Sequence, residues 1–266
     1  MPDLLNFAAV AAAAFFAAGL TMYSGFGLGT LMLPVFALFL PVEMAVVATA
    51  LVHGANNLFK VVLLGRGADR EVVLKFGLPA IAAAVLGAWL LGWFAQAGSS
   101  VTVEVNERAV LEITPVKLVI GLLMIGFALF ELLPRFQHLV FERRWLPLGG
   151  VLSGFFGGLS GHQGALRSAF LAKSGLDTKG FVGSNAVIGF LVDLTRIGVY
   201  VALFAGAGAT VAGFGAWPLV AAGALAAFAG VLVGKRYLHK VTMKSVRVLV
   251  AVLLLGVGFA LLAGLI

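Results

Sequence analysis

The sequence predicts an all-α polytopic membrane protein, and three observations support this fold class. Of the 266 residues, 62% are hydrophobic and 11% are charged, whereas roughly a quarter of a soluble domain is charged. The 18 basic and 11 acidic residues are clustered, and several apolar stretches between the clusters reach the roughly 20 residues that cross a bilayer. The chain has no cysteine. A soluble domain, a nucleic-acid binder and a disulfide scaffold are therefore excluded.

Charges and turns divide the chain into ten apolar segments. They cover 4 to 24, 28 to 40, 43 to 64, 76 to 97, 115 to 134, 146 to 160, 164 to 172, 180 to 205, 212 to 234 and 246 to 266. Three segments, 28 to 40, 146 to 160 and 164 to 172, are too short to cross alone, since a helix rises about 1.5 Å per residue and the hydrocarbon core is about 30 Å thick. Short segments paired around a Gly-rich turn indicate broken or re-entrant helices.

The N-terminal segment resembles a signal peptide in its apolar residues. It lacks a basic n-region, because Asp3 is the one charge at its start. We expect it to be a retained first segment.

The basic residues predict the orientation, because cytoplasmic loops are enriched in Lys and Arg. Four regions, which we expect in the cytoplasm, hold 15 of the 18: Lys60, Arg66, Arg70 and Lys75; Arg135, Arg143 and Arg144; Arg167, Lys173 and Lys179; Lys235, Arg236, Lys240, Lys244 and Arg247. The chain start, Glu43, the 98 to 114 loop and the uncharged 205 to 211 loop are expected outside, together with the C-terminus. The formal charge of +7 is therefore explained first by the expected cytoplasmic loops, and not by a nucleic-acid partner.

The two halves of the chain repeat one order of features. Gly19, Gly29 and Leu31 recur 135 residues later as Gly154, Gly164 and Leu166, and Asn57 and Lys60 recur 136 residues later as Asp193 and Arg196. The charge pattern orients the corresponding segments in opposite directions. The sequence thus predicts two inverted repeats, 1–134 and 146–266, joined by a cytoplasmic linker at 135–145. Each repeat is a short broken or re-entrant helical hairpin plus three spanning helices, giving 8 to 10 membrane segments, as in many transporters.

The Gly-rich hairpin tips are the first candidate site. Non-helical backbone inside a membrane is tolerated where it is buried in protein or lines a watery cavity, and the N-terminus of the helix after each tip favours an anion. The alternative is that these glycines serve close helix packing. The candidate substrate-binding residues are Ser24, Gly25, Gly27, Gly29 and Thr30 in the first tip, and Ser160, Gly161, His162, Gln163 and Gly164 in the second.

Polar side chains inside apolar segments are the second candidate site, because each is costly there and is usually functional or paired. The further candidate substrate ligands are His53, Asn57, Arg167 and Asn185. Asp193 and Arg196 are three residues apart and form a structural or gating ion pair in this interpretation. His162 can donate to an oxyanion or carry a proton near neutral pH, which makes protons a candidate coupling ion. Arg167 can instead mark the cytoplasmic side.

Two alternatives of other classes stay open. Gly158 to Gly161 spell GLSG, the GxSG pattern of rhomboid intramembrane serine proteases, but the later histidine that such a protease needs is only His239, in a basic loop. A channel-like anion conductor is the second alternative. We expect no catalytic residue, metal site, cofactor or nucleic-acid partner, and the oligomeric state is open.

The tips also carry a family resemblance. Five stretches carry it: GFGLGTLMLPVFALFL, an Ala-Thr-Ala segment, a central basic loop, SGFFGGLSGHQGALRSAFL and a second long segment from Ser184 and Asn185. Together they resemble the TauE/SafE family of sulfite and organosulfonate exporters. The resemblance covers nearly the whole chain and implies a bacterial inner-membrane protein that exports sulfite, sulfoacetate or a related sulfur-containing anion. Leu28 replaces a glycine common in members, and His162 and Gln163 stand where small residues are common, which changes the donors that line the site.

Overall fold

The computed structural model describes residues 3–20, 27–98, 100–104, 110–137, 139–205, 215–237 and 243–266. In these residues the protein is almost entirely helical. The helices are α1 (Leu4–Leu20), α2 (Leu28–Ala37), α3 (Val42–Leu64), α4 (Arg70–Gln96), α5 (Pro115–Leu132), α6 (Pro134–Gln137), α7 (Leu146–Ser160), α8 (Gly164–Leu171), α9 (Thr178–Ala205), α10 (Trp217–Tyr237) and α11 (Met243–Leu262).

Five helices of the described part are long and apolar enough to cross a membrane: α3, α4, α5, α9 and α10. Large apolar side chains such as Trp89, Trp93, Leu122 and Phe259 are about half exposed or more on the outside of the bundle. Such an apolar exterior suits lipid and not water. The protein is therefore an all-α polytopic membrane protein, as the sequence predicts.

The short segments form short helices. α2 has 10 residues, α7 has 15 and α8 has 8, so at about 1.5 Å per residue none matches a bilayer core of about 30 Å. The α7–α8 turn contains Gly161, whose φ of 84° ends α7 in a left-handed conformation that glycine adopts without a steric penalty.

Two helix pairs pack in parallel at very short range. On α7, an added Cβ at Gly150, Gly154 or Gly158 would lie 2.1–2.2 Å from a carbonyl oxygen of α4, and these contacts advance along both helices together. α1 and α10 pack in the same way, with Gly230 against the Phe15 carbonyl and Gly234 against the Gly19 carbonyl. Only glycine allows two helix backbones to approach so closely.

Two other helix pairs are antiparallel. In the α3–α9 pair, His53 contacts Asp193, whereas Gly67, just beyond the end of α3, lies against the Lys179 carbonyl near the start of α9. In the α5–α11 pair, a Cβ on Gly121 would lie 3.0 Å from Leu262, whereas a Cβ on Gly258 would lie 3.0 Å from Ile125. In both pairs, a residue later in one helix contacts a residue earlier in the other, as antiparallel packing requires.

The loops meet at two ends of the bundle. At one, the basic end, the α3–α4 turn, the segment before α7 and the α8–α9 connection come together. Arg143 donates to Glu71 at 2.8 Å, and the backbones of Glu142 and Lys173 form an isolated parallel β-bridge. At the opposite end a cavity of about 630 Å³ lies between the α2–α3 turn, the end of α4, the start of α5 and the C-terminal Ile266.

One element was not predicted. Within the loop between α4 and α5, the described residues form two antiparallel strands, β1 (Val101–Glu104) and β2 (Val110–Ile113), with Val101 paired to Ile113. Thr114 then caps α5 by accepting from the Lys117 amide at 3.3 Å.

Candidate functional site

The two hairpin tips meet in the middle of the bundle. A Cβ built on Gly29, in the first turn of α2, would lie 3.3 Å from the Gly161 carbonyl oxygen of the second tip and 3.4 Å from the His53 ring. His53 lies midway along α3. Gly27 caps α2 with a φ of 118°. The two tips therefore meet beside the middle of α3.

The other tip residues divide between described and undescribed positions. Thr30 is buried in the first turn of α2, and Gly164 is the first residue of α8. Ser24 and Gly25 lie outside the described residues.

The Asp193 carboxylate, fully buried on α9, is the centre of the polar network. Its Oδ2 is 2.7 Å from His53 Nδ1 and accepts a hydrogen bond from Asn57 Nδ2 at 2.8 Å. Its Oδ1 accepts from Gln163 Nε2 at 2.9 Å and from Arg196 Nε at 3.0 Å. One carboxylate thus links α3, the second tip and its own helix.

Two guanidinium groups extend this network. Arg167, 1% exposed, donates from Nε to Asn185 Oδ1 at 2.6 Å and from Nη1 to Gln163 Oε1 at 2.8 Å. Arg196, 0% exposed, also donates from Nη1 to the Gly157 carbonyl at 3.1 Å. Arg167 is therefore part of the buried network, whereas the sequence left open whether it binds substrate or marks the cytoplasmic side.

The buried groups of this network do not balance in charge. Arg167 and Arg196 contribute two positive charges and Asp193 contributes one negative charge, which leaves one formal positive charge when both histidines are neutral. Buried charge in a low-dielectric environment is costly unless it is compensated. The charge of this network therefore favours an anion over a cation as its ligand.

His162 lies on the second tip and is 2% exposed. Its Nδ1 is 3.0 Å from Ser160 Oγ, and its ring stacks on Phe127 of α5 with centroids 4.7 Å apart. In the described structure Nε2 has no hydrogen-bond partner. A buried nitrogen left unpaired costs about 1–3 kcal/mol, so this edge of the ring is suited to a ligand atom.

Some polar residues near the site were missed by sequence reasoning. Ser153 donates to the Gln163 carbonyl at 2.9 Å, and the Tyr200 hydroxyl donates to the Gly158 carbonyl, so both hold the second tip in place. Nothing in the sequence distinguishes Ser153 from the other small residues of its helix. Tyr200 could have been found from the sequence, because it is a polar group in an apolar segment.

The Ser160–His162 contact bears on the protease alternative. Ser160 Oγ donates to the Phe156 carbonyl at 3.1 Å, one turn back in α7, as helical serines commonly do. A hydroxyl whose proton is directed to a carbonyl can only accept from the imidazole. This geometry does not activate Ser160 as a nucleophile.

Discontinuous helices that meet around a buried polar network are typical of membrane transport proteins. A family model described as Sulfite exporter TauE/SafE matches residues 10–261, so the chain belongs to that family. Its members are transporters of sulfur-containing anions and not enzymes. No curated protein matches the chain, and no solved structure does.

Proposed function

We propose that the protein exports a small sulfur-containing anion, namely sulfite, sulfoacetate or another organosulfonate, and holds it between the two hairpin tips. The observation that carries this proposal is the buried, unpartnered Nε2 of His162, at a tip and next to a network with an excess positive charge. Because Nδ1–H already donates to Ser160 Oγ, Nε2 carries a proton only in the imidazolium form. In that form Nε2–H donates a hydrogen bond to an anion oxygen, and the N-terminus of α8 adds its peptide N–H groups. The family membership also supports a negatively charged substrate.

The architecture in this proposal is a pair of inverted repeats, 1–134 and 146–266, around the linker 135–145. The helix pairs support it. α1 packs parallel to α10, α7 packs parallel to α4, and two further pairs, α3–α9 and α5–α11, are antiparallel. A two-fold axis in the membrane plane exchanges the first two pairs and maps each of the others onto itself.

Transport in this proposal follows alternating access. Asp193 joins the middle of α3 to the second tip through His53 and Gln163. When the anion binds beside the tips, it competes for these donors and loosens one tip from the centre. Each tip then opens the site to its own side in turn.

The orientation in this proposal places the basic end in the cytoplasm of the inner membrane and the C-terminus outside. An interior-negative voltage then favours anion export by about 2.3 kcal/mol per charge per 100 mV. Proton coupling through His162 is a further part of the proposal, since imidazole is the side chain that changes charge near neutral pH.

A ligand screen on purified protein tests the substrate class. We expect sulfite, thiosulfate, sulfoacetate or taurine to raise the midpoint of thermal unfolding, because a ligand that binds only the folded state stabilises it. Sulfate serves as the comparison oxyanion. Stabilisation by cations alone is the outcome that contradicts the anion proposal.

The channel alternative predicts a different kind of flux. A transporter exchanges labelled sulfite against unlabelled sulfite across a vesicle, whereas a channel-like conductor gives single-channel currents and no counterflow. Counterflow measurements in proteoliposomes separate the two.

A further inference from the structure

The Lys60 side chain on α3 is buried at a level unusual for lysine. Lys60 is 7% exposed, one turn before the last residue of its helix. In the part of the chain that the structure describes, its ammonium group takes part in no hydrogen bond or ion pair. Charged side chains inside membrane segments are rare and usually mark a substrate or ion pathway. The proposed central site does not use this group.

Lys60 lies beside a second buried cation. A Cβ on Gly189 would lie 2.7 Å from Asn57 Nδ2 and 3.0 Å from Arg167 Nη1, so these two groups flank one spot on α9. Lys60 follows Asn57 by three residues and therefore projects from a neighbouring part of the same helix face. Lys60 is 7% exposed and Arg167 is 1% exposed. Two like charges thus lie in the same region of the interior.

These cations lie between the tips and the basic end. Lys60 is seven residues beyond His53, or about 10 Å along α3 at about 1.5 Å per residue, toward the α3–α4 turn. Arg167 lies on α8, which ends shortly before Lys173 at the same basic end. Along α3, Lys60 is therefore on the basic side of the tips.

We propose that Lys60 and Arg167 form a second anion site, on the basic side of the central site, which takes a sulfite or sulfonate group through the Lys60 ammonium. Because it concerns the path of the same anion, this inference rests on the proposed function. An anion between the two cations offsets their mutual repulsion and the cost of burying Lys60. Arg167 keeps its hydrogen bonds to Asn185 and Gln163 and contributes its charge.

The competing explanation is that Lys60 is an interface anchor only. A lysine near a helix end can lay its methylene chain along apolar surface and bring the ammonium to the headgroup level. An anchor of that kind has no influence on anion affinity.

Substitution of Lys60 separates the two explanations. In proteoliposomes with known orientation, we expect Lys60→Gln to raise the half-saturating sulfite concentration on the basic side about tenfold, the change expected for one lost charge-assisted hydrogen bond. We expect little change on the opposite side, and Lys60→Arg should retain the wild-type value. Lys179→Gln is the matched control, because Lys179 is exposed at the same end.

Stoichiometry tests the site without any variant. We expect calorimetric titration of the wild-type protein with sulfite to give two anions per chain. A single anion per chain, or a Lys60→Gln variant that behaves like Lys179→Gln, would overturn the second site and leave the proposed function standing. If the wild-type protein neither binds nor transports any sulfur-containing anion, the proposed function fails and this inference fails with it.

Discussion

At the scale of single residues, the Asp193 carboxylate organises the interior. It receives donors from His53, Asn57, Gln163 and Arg196, all within 3.0 Å. A buried carboxylate that is so fully hydrogen-bonded stays ionised and orients the groups around it. Its removal therefore leaves several buried donors without a partner.

We expect Asp193→Asn to destabilise the protein strongly. Breaking a buried charge pair by neutralising one partner costs about 3–5 kcal/mol, because the other charge remains buried. The midpoint of thermal unfolding in detergent measures this loss. Glu43→Gln, which removes a carboxylate that is not fully buried at the start of α3, is the control. Equal midpoints for the two variants would contradict the central role of Asp193.

His162 gives a functional prediction at the same scale. We expect His162→Gln to fold, because Gln fills much of the same volume and can still hydrogen-bond, but to transport sulfite without dependence on the pH gradient. Flux into proteoliposomes with and without an imposed gradient is the measurement. His138→Gln, in the linker, is the control. A His162→Gln variant that keeps its gradient dependence rules out the proton-carrying role.

At the scale of helices, glycines serve two distinct purposes. Gly161 adopts a positive φ at a tip, whereas Gly150, Gly154 and Gly158 give α7 its contact with α4. Close helix packing therefore explains the glycines of α7, whereas anion binding by the tip glycines stays a prediction. The contact glycines also hold the second tip at its depth, since α7 leads directly to it.

We expect Gly154→Ala to weaken folding. The added Cβ would lie 2.1 Å from the Ala80 carbonyl oxygen, and forcing extra volume into a packed interface typically costs about 1–3 kcal/mol or more. Gly126→Ala on α5 is the control, because nothing lies within 4 Å of its added Cβ. Denaturation of both variants in detergent compares them, and equal stability would show that α7 can move away from α4 without cost.

At the scale of the whole molecule, the connections gather at two ends that differ in charge. Arg143, Lys173 and Lys179 lie at the basic end, whereas Glu43, Glu112 and the C-terminal Ile266 line the cavity at the other. From the positive-inside rule we expect the basic end in the cytoplasm.

Cysteine labelling in cells tests this orientation without background, since the chain has no cysteine of its own. We expect Ser100→Cys to react with a membrane-impermeant maleimide from outside and Ala68→Cys to stay protected until the cells are permeabilised. Both positions are at least partly exposed, in the α4–β1 segment and the α3–α4 turn. Reaction at position 68 or protection at position 100 in intact cells would contradict the predicted orientation.

Much of the fold was predictable, because membrane helices follow local rules. Apolar length and charge clusters located the helices, and the short segments are short helices in the structure. The hairpin β1–β2 was missed because four-residue strands within a polar loop give no periodic signal.

For the site, the tip residues and the polar residues of α3 and α9 were named from their cost in an apolar segment. Lys60 was assigned to a loop because charge alone does not distinguish an interface lysine from a buried one.

The sequence by itself determined that this is a multi-pass helical membrane protein with two Gly-rich interruptions and a small set of intramembrane polar groups. These properties depend on hydropathy and backbone chemistry, which are local. Only the tertiary structure decided that Gly29 and Gly161 meet at His53, that Asp193 gathers donors from both halves, and that Lys60 and Arg167 are buried near each other. Several of those contacts, such as His53 with Asp193 and Gly29 with Gly161, join residues more than a hundred positions apart. They depend on how glycine faces let particular helices approach.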